Sequence, residues 1–269
     1  MKFPTDLCMR RAAMDIGILI VALILAVVAA LQGGLYVHRG IRSRWTVVWM
    51  LFSFLAQLAV LGMRSEMRGS CPLGDTGEIL IFSAWSLTLF YMAVGSVYRL
   101  SLLGVFTAPL VCFLLTVALV PGMLEGNPEH ADVVDGWREG HAAFSVLAYG
   151  ALGLAAVSGV MFLILNRQLK EASMSTGLFR NLPPARELSS IVRRLLILGL
   201  GLLTMGLVFG LIMEKPEGLG KHLYLALGLW VAYGILVGIE WKRGMPPGKL
   251  AMAAVALFVI SLMIFPLLK

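Results

Sequence analysis

The chain has 269 residues and a formal net charge of +7, with 59% hydrophobic against 14% charged residues and a mean hydropathy of +0.89. That is more apolar surface than a water-soluble domain hides in one core, so the composition excludes a soluble globular protein and points to a polytopic membrane protein. The basic balance is assigned to membrane topology and anionic headgroups, and no nucleic-acid partner is expected.

A hydrocarbon core about 30 Å thick is crossed by about 20 apolar residues in a helix. Eight such stretches follow one another, at approximately 16–37, 45–63, 78–97, 102–123, 143–165, 194–213, 222–241 and 250–268. Unpaired backbone groups are not tolerated in lipid and no alternating polar strands occur, so each stretch is predicted to be a helix. The expected fold is an all-α polytopic bundle of eight transmembrane helices, a single integral membrane domain over 1–269. The first span follows Arg10 and Arg11 but lacks a small-residue cleavage site, and reads as a retained helix. With the N-terminus outside, the inner segments hold 13 of the 22 Lys and Arg and only Glu171, Glu187 and Glu240 of the 15 acidic residues. The net charge is then +10 inside against −3 outside. The positive-inside rule places both termini outside, although Arg10 and Arg11 pull the other way.

Cys8 and Cys71 fall on the outer side, where a disulfide between them is permitted, and Cys112 falls within the fourth span. No Cys-x-x-Cys occurs. Glu78 opens the third span and reads as a helix N-terminal charge facing the positive dipole end rather than as a proton relay. The outer loop 125–140 is acidic and carries His130, whereas the inner loop 166–194 is basic. Within the latter, NLPPARELSSIVRR places Leu188, Ile191 and Val192 near helical spacing among Arg186, Arg193 and Arg194. This predicts an amphipathic approach helix at the inner interface, an anchor first and a partner surface second. Span six carries Gly199, Gly206 and Gly210, the last two four apart, a spacing that lets helix backbones approach closely.

No span has an interior histidine, but His141 and His222 open the fifth and seventh stretches, both on the outer face. Helical periodicity brings Ser145 and Tyr149 beneath His141 on one stripe, and Trp230 and Tyr233 lie deeper in the span begun by His222. Two neutral imidazoles from separate helices can hold one haem iron between them. His141 and His222 are therefore the candidate haem-binding and iron-ligating residues, with His130 in reserve. An interfacial histidine that is solvated or bonded to a loop carbonyl fits the same pattern, and placement alone does not choose between them. His38, beside Arg39 at the inner end of span one, is assigned to headgroup contact. There is no HExxH, P-loop or GxSxG motif, so no catalytic residue is assigned. No interior carboxylate pair is evident, so an ion-driven transporter would lack its usual buried acid.

Four segments in order resemble one family. CPLGDTGEILIFSAWSLTLFYMAVGSVYRLSLLGVFTAPL, from Cys71 to Leu110, is similar to the early core helices of the cytochrome c assembly family (CcsA, ResC and CcmC-type proteins, and the smaller HemX-like and YpjD-like branch). HAAFSVLAYGALGLAAVSGVMFL resembles that family's external-His helix, and NLPPARELSSIVRRLLILGLGLLTMGLVFGLI its Leu-Pro stretch running into a Gly-rich helix. KHLYLALGLWVAYGILVGIEWKRGMPPGKLA resembles the closing part, and the similarity covers residues 71–269. By this resemblance His141 matches the first external haem-ligand histidine, and His222 sits where the smaller branch tends to place one. The family's haem-handling members carry a Trp-Trp-Asp motif after the Gly-rich helix, where this chain has LIMEKPEGLGKH with no Trp.

The resemblance implies a protein of the bacterial plasma (inner) membrane, placed in the smaller branch. It implies binding or handling of haem at the outer face, as a carrier or complex subunit beside other cytochrome c assembly proteins. Without a dithiol of its own for reducing an apocytochrome, it would not be an enzyme unaided. The alternative is a HemX-like regulatory or scaffold protein of tetrapyrrole synthesis without bound haem, working through the loop 166–194.

Overall fold

The computed structural model describes residues 5–39, 45–98, 101–124, 135–170, 185–213 and 220–264. Each predicted stretch is an α-helix: α1 Thr5–His38, α2 Trp45–Arg68, α3 Thr76–Tyr98, α4 Ser101–Ala118, α5 Gly136–Lys170, α6 Ala185–Ile212, α7 Gly220–Arg243 and α8 Pro247–Ile264. The described residues contain no strand. Six helices are long and apolar enough to cross a membrane, while the apolar parts of α4 and α8, Leu103–Ala118 and Pro247–Met263, are shorter. As 18-residue helices, α4 and α8 are about 27 Å long at 1.5 Å per residue, close to the hydrocarbon thickness. The protein is a multi-pass helical membrane bundle. α4 stops at Ala118, short of its predicted end, because Pro121 and Gly122 follow. The Val120 N–H turns to the Val117 carbonyl at 3.1 Å, and Gly122 adopts φ 87°, a left-handed conformation that closes the chain back towards α3.

Three helices outrun their predicted spans most. α1 has 34 residues, α5 has 35 and α6 has 28, about 51, 52 and 42 Å. Asp135 caps α5, its Oδ1 accepting the Trp137 N–H at 3.0 Å and its carbonyl the Glu139 N–H at 3.0 Å, so the helix begins five residues before His141. The approach segment before span six is not a separate interfacial helix. It is the first turns of α6, and Leu188, Ile191 and Val192 are at most 1% exposed. Their apolar face is buried against the other helices instead of resting on headgroups.

α5 is the hub of the bundle, packing on α6, α8, α3 and α4, with 67% of its apolar stretch buried against 22–44% for the other five long spans. α1 packs on α2 and α4, α3 joins α4 and α2, and α7 borders α6 and α8. Ala22, Ala26 and Ala29 give α1 a small-residue inner face, while its Ile20, Ile24, Leu31 and Leu35 are exposed, as suits a surface turned to lipid. α7 is tied to α6 at mid-height, where Trp230 Nε1–H donates to Thr204 Oγ1 at 2.8 Å. Near the C-terminal end of α7 Arg193 pairs with Glu240, whose Oε2 also accepts the Met245 N–H at 2.6 Å.

Candidate functional site

The seam between α5 and α6 is built on the glycines of span six. A Cβ on Gly199 would lie 2.6 Å from Leu152 Cδ2, one on Gly206 2.8 Å from Ser145 Oγ, and one on Gly210 2.6 Å from His141 Nδ1. The close approach that the Gly spacing predicts is thus realised, and its partner is α5. His141 sits in the second turn of α5, half-buried, with Nδ1 2.7 Å from the Gly206 carbonyl oxygen. A carbonyl only accepts, so the ring nitrogen facing it carries a hydrogen, which in a neutral imidazole leaves the lone pair on Nε2. Among the described residues Nε2 has no hydrogen-bond partner.

Three aromatic rings stand along the same stretch of the seam as this histidine. Trp137 and Phe144, four residues before and three after His141, share its face of α5. Phe209 of α6 lies 5.4 Å from Trp137 and 5.3 Å from Phe144 between ring centroids. Trp137 is 47% exposed, leaving an aromatic ledge open beside the imidazole. The sequence reading passes over these residues; the signal was their i−4 and i+3 spacing from His141.

The other predicted positions separate from this one. Ser145 stays on the seam, but Tyr149 turns into an apolar crevice between α3, α4, α5 and α8, lined also by Leu110, Phe113 and Phe258. His222 is the third residue of α7, a helix that borders α6 rather than packing extensively on α5; its side chain lies outside the described residues, as does all of His130. His38 is exposed at the end of α1. Cys71 carries a free thiol in the turn between α2 and α3, and the Cys8 side chain lies outside the described residues. Burial pushes the Cys71 thiol pKa up, and the nearby Glu139 and Glu78 carboxylates push it further.

The same end of the bundle holds a charge cluster of which only Glu78 stands out in sequence. Glu78 is fully buried and accepts from Arg64 Nη1 at 3.0 Å and Arg68 Nε at 2.9 Å. It also takes the backbone N–H groups of Gly74 at 3.0 Å and Asp75 at 3.2 Å. Glu78 in the first turn of α3 thus reaches back to the N–H of Asp75 just before the helix, the glutamate half of a capping box, which sharpens the helix-terminus reading. Asp75 Oδ2 accepts from Arg68 Nη2 at 2.5 Å, Asp15 Oδ2 lies 3.7 Å from Arg64 Nε, and Arg64 Nη2 donates to the Leu124 carbonyl at 3.3 Å. Buried acids are therefore present at the starts of the first and third predicted spans, outside the span interiors where the sequence shows no carboxylate pair, and they are answered by guanidinium groups. No group of three or more His, Cys, Asp or Glu suited to a metal ion occurs among the described residues.

Residues 73–268 match the family described as cytochrome C assembly protein. The chain belongs to the cytochrome c assembly family. Among relatives, the cytochrome c biogenesis protein CcsA of Nostoc punctiforme is 31% identical over 139 residues, 49% of this chain and 39% of that protein. The CcsA protein of Crocosphaera subtropica is 28% identical over 134 residues, 47% of this chain and 40% of that protein. That of Chlamydomonas reinhardtii is 26% identical over 227 residues, 79% and 62% of the two chains. The chain thus matches about two fifths of the length of the two cyanobacterial relatives. The similarity is to assembly proteins and gives the regulatory alternative no support.

Proposed function

We propose that this family member binds haem as cargo at the outer face of the bacterial inner membrane, with His141 as an iron ligand and His222 as the candidate second. The observation that carries the reading is the His141 bond to the Gly206 carbonyl, which leaves Nε2 unengaged beside an exposed aromatic ledge. The residues present suit haem: imidazole is a good ligand for its iron, and ring faces suit a flat apolar macrocycle. Trp137 and Phe209 offer such faces in a chain without the Trp-Trp-Asp motif.

The protein's own part is to hold, orient and shield; attachment of haem to an apocytochrome, and the thiols that it needs, belong to partner proteins of the assembly system. It therefore acts as a carrier or complex subunit and not as an enzyme on its own. Purified from haem-replete cells in detergent, the wild type should show a Soret band that His141→Ala abolishes and His222→Ala weakens. A haem-free wild type overturns this reading, and a band untouched by His141→Ala moves the site elsewhere.

A further inference from the structure

In an α-helix the carbonyl of residue i already accepts the N–H of residue i+4, and the Cβ of that residue leans back over it. A second donor from a neighbouring helix is normally kept away by that Cβ. At Gly206 the covering residue is Gly210, which has none. His141 occupies the place so opened: Nδ1 is 2.7 Å from the Gly206 oxygen. A Cβ on Gly210 would fall 2.6 Å from Nδ1 and 2.9 Å from Cε1, closer than real carbon contacts allow. The ring is therefore gripped along its Nδ1–Cε1 edge by the backbone of α6.

We propose that α6, through the Gly206 carbonyl and the missing side chain of Gly210, is the positioning element that fixes His141 as its Nδ1–H tautomer and makes Nε2 its ligating nitrogen. An acceptor behind a ligating imidazole sets its tautomer and orientation and raises its basicity, and losing one typically costs about 10- to 100-fold in metal affinity. Gly206 and Gly210 are positioning residues, acting through His141. The use made of Nε2 rests on the haem reading above, whereas the tautomer does not. Gly199, further along the same seam, supplies the control: a Cβ there would fall 2.6 Å from Leu152 Cδ2 and 2.7 Å from its Cγ, crowding the same helix seam without touching His141.

The test uses the full chain in detergent with 15N-labelled histidine, at a pH where imidazole is neutral, the His141 signal being identified by its loss in His141→Ala. Wild-type His141 is expected to show the Nδ1–H signature. In Gly210→Ala that signature should give way to the tautomer mixture of a free ring. Haem titration should find Gly210→Ala at least tenfold weaker than wild type and Gly199→Ala within about threefold of it. A wild-type His141 protonated on Nε2 overturns the proposal by itself, whether or not any variant folds. So does an unchanged Gly210→Ala, or an equal loss in Gly199→Ala. A wild type that binds no haem yet shows the Nδ1–H tautomer, released in Gly210→Ala, upholds the positioning role and removes the haem reading instead.

Discussion

Two constellations share one end of this bundle, the end from which α3 and α5 start. Between α1, α2 and α3, Arg64 and Arg68 are surrounded by Asp15, Asp75 and Glu78, and Glu78 alone takes four hydrogen bonds. Between α5 and α6 there is one imidazole, one backbone carbonyl and a set of aromatic rings. Intramembrane charge is the usual pointer to function, yet here the charged cluster is answered by its own members and the nearly neutral one keeps a lone pair to offer. The closed cluster ties helices together; the open one is equipped to take a ligand.

The sharpest break of that contrast is Glu78→Ala. It strips both guanidinium groups of a shared acceptor, and a buried pair that loses one partner costs about 3–5 kcal/mol. Thermal unfolding in detergent should register a loss of that size, and a loss under about 1 kcal/mol would show that the cluster does not hold the helices. His141→Ala should do the reverse, removing the Soret band while changing stability by about 1 kcal/mol, the worth of one neutral hydrogen bond. A destabilisation as large as that of Glu78→Ala would make the histidine structural. Trp137→Ala is expected to weaken haem binding about two- to tenfold, from the roughly 0.5–1.5 kcal/mol of a ring contact, as read in the same titration. The smallest effect lies where the two regions meet. Because burial, and after it the carboxylates of Glu139 and Glu78, raise the Cys71 pKa, alkylation of Cys71 at a given pH should be slower than that of a free cysteine. Glu139→Gln lowers the pKa and should speed alkylation; an unchanged rate would remove Glu139 from its neighbourhood.

The helices were legible because hydropathy over about 20 residues is a strong signal, and all eight lie where it puts them. Ends were less legible: that α5 begins at Gly136 depends on the Asp135 cap, and that α6 runs unbroken from Ala185 depends on Leu188 and Ile191 finding a protein surface. At the site, His141 and the Gly206–Gly210 spacing were both visible, but not that they meet, since sequence periodicity gives a face and not its partner. The Arg64–Glu78 cluster was hidden for the same reason, its members coming from the end of α2 and the start of α3 with Asp15 supplied by α1.

The seam of α5 and α6 also sets what lengths the two helices can have. Towards the N-terminal end of α5, Leu152 to Ser145 to His141 are steps of seven and four residues, and Gly199 to Gly206 to Gly210 are the same steps in the opposite chain direction. One residue inserted between Ser145 and Leu152 would turn the N-terminal part of α5 by about 100° and carry the imidazole off its carbonyl. Only a matched addition to both helices, about two full turns in each, would return the ring to its place. Tolerance to insertion is thus a joint property of α5 and α6, and a homologue that lengthens one without the other has given up this grip on its histidine.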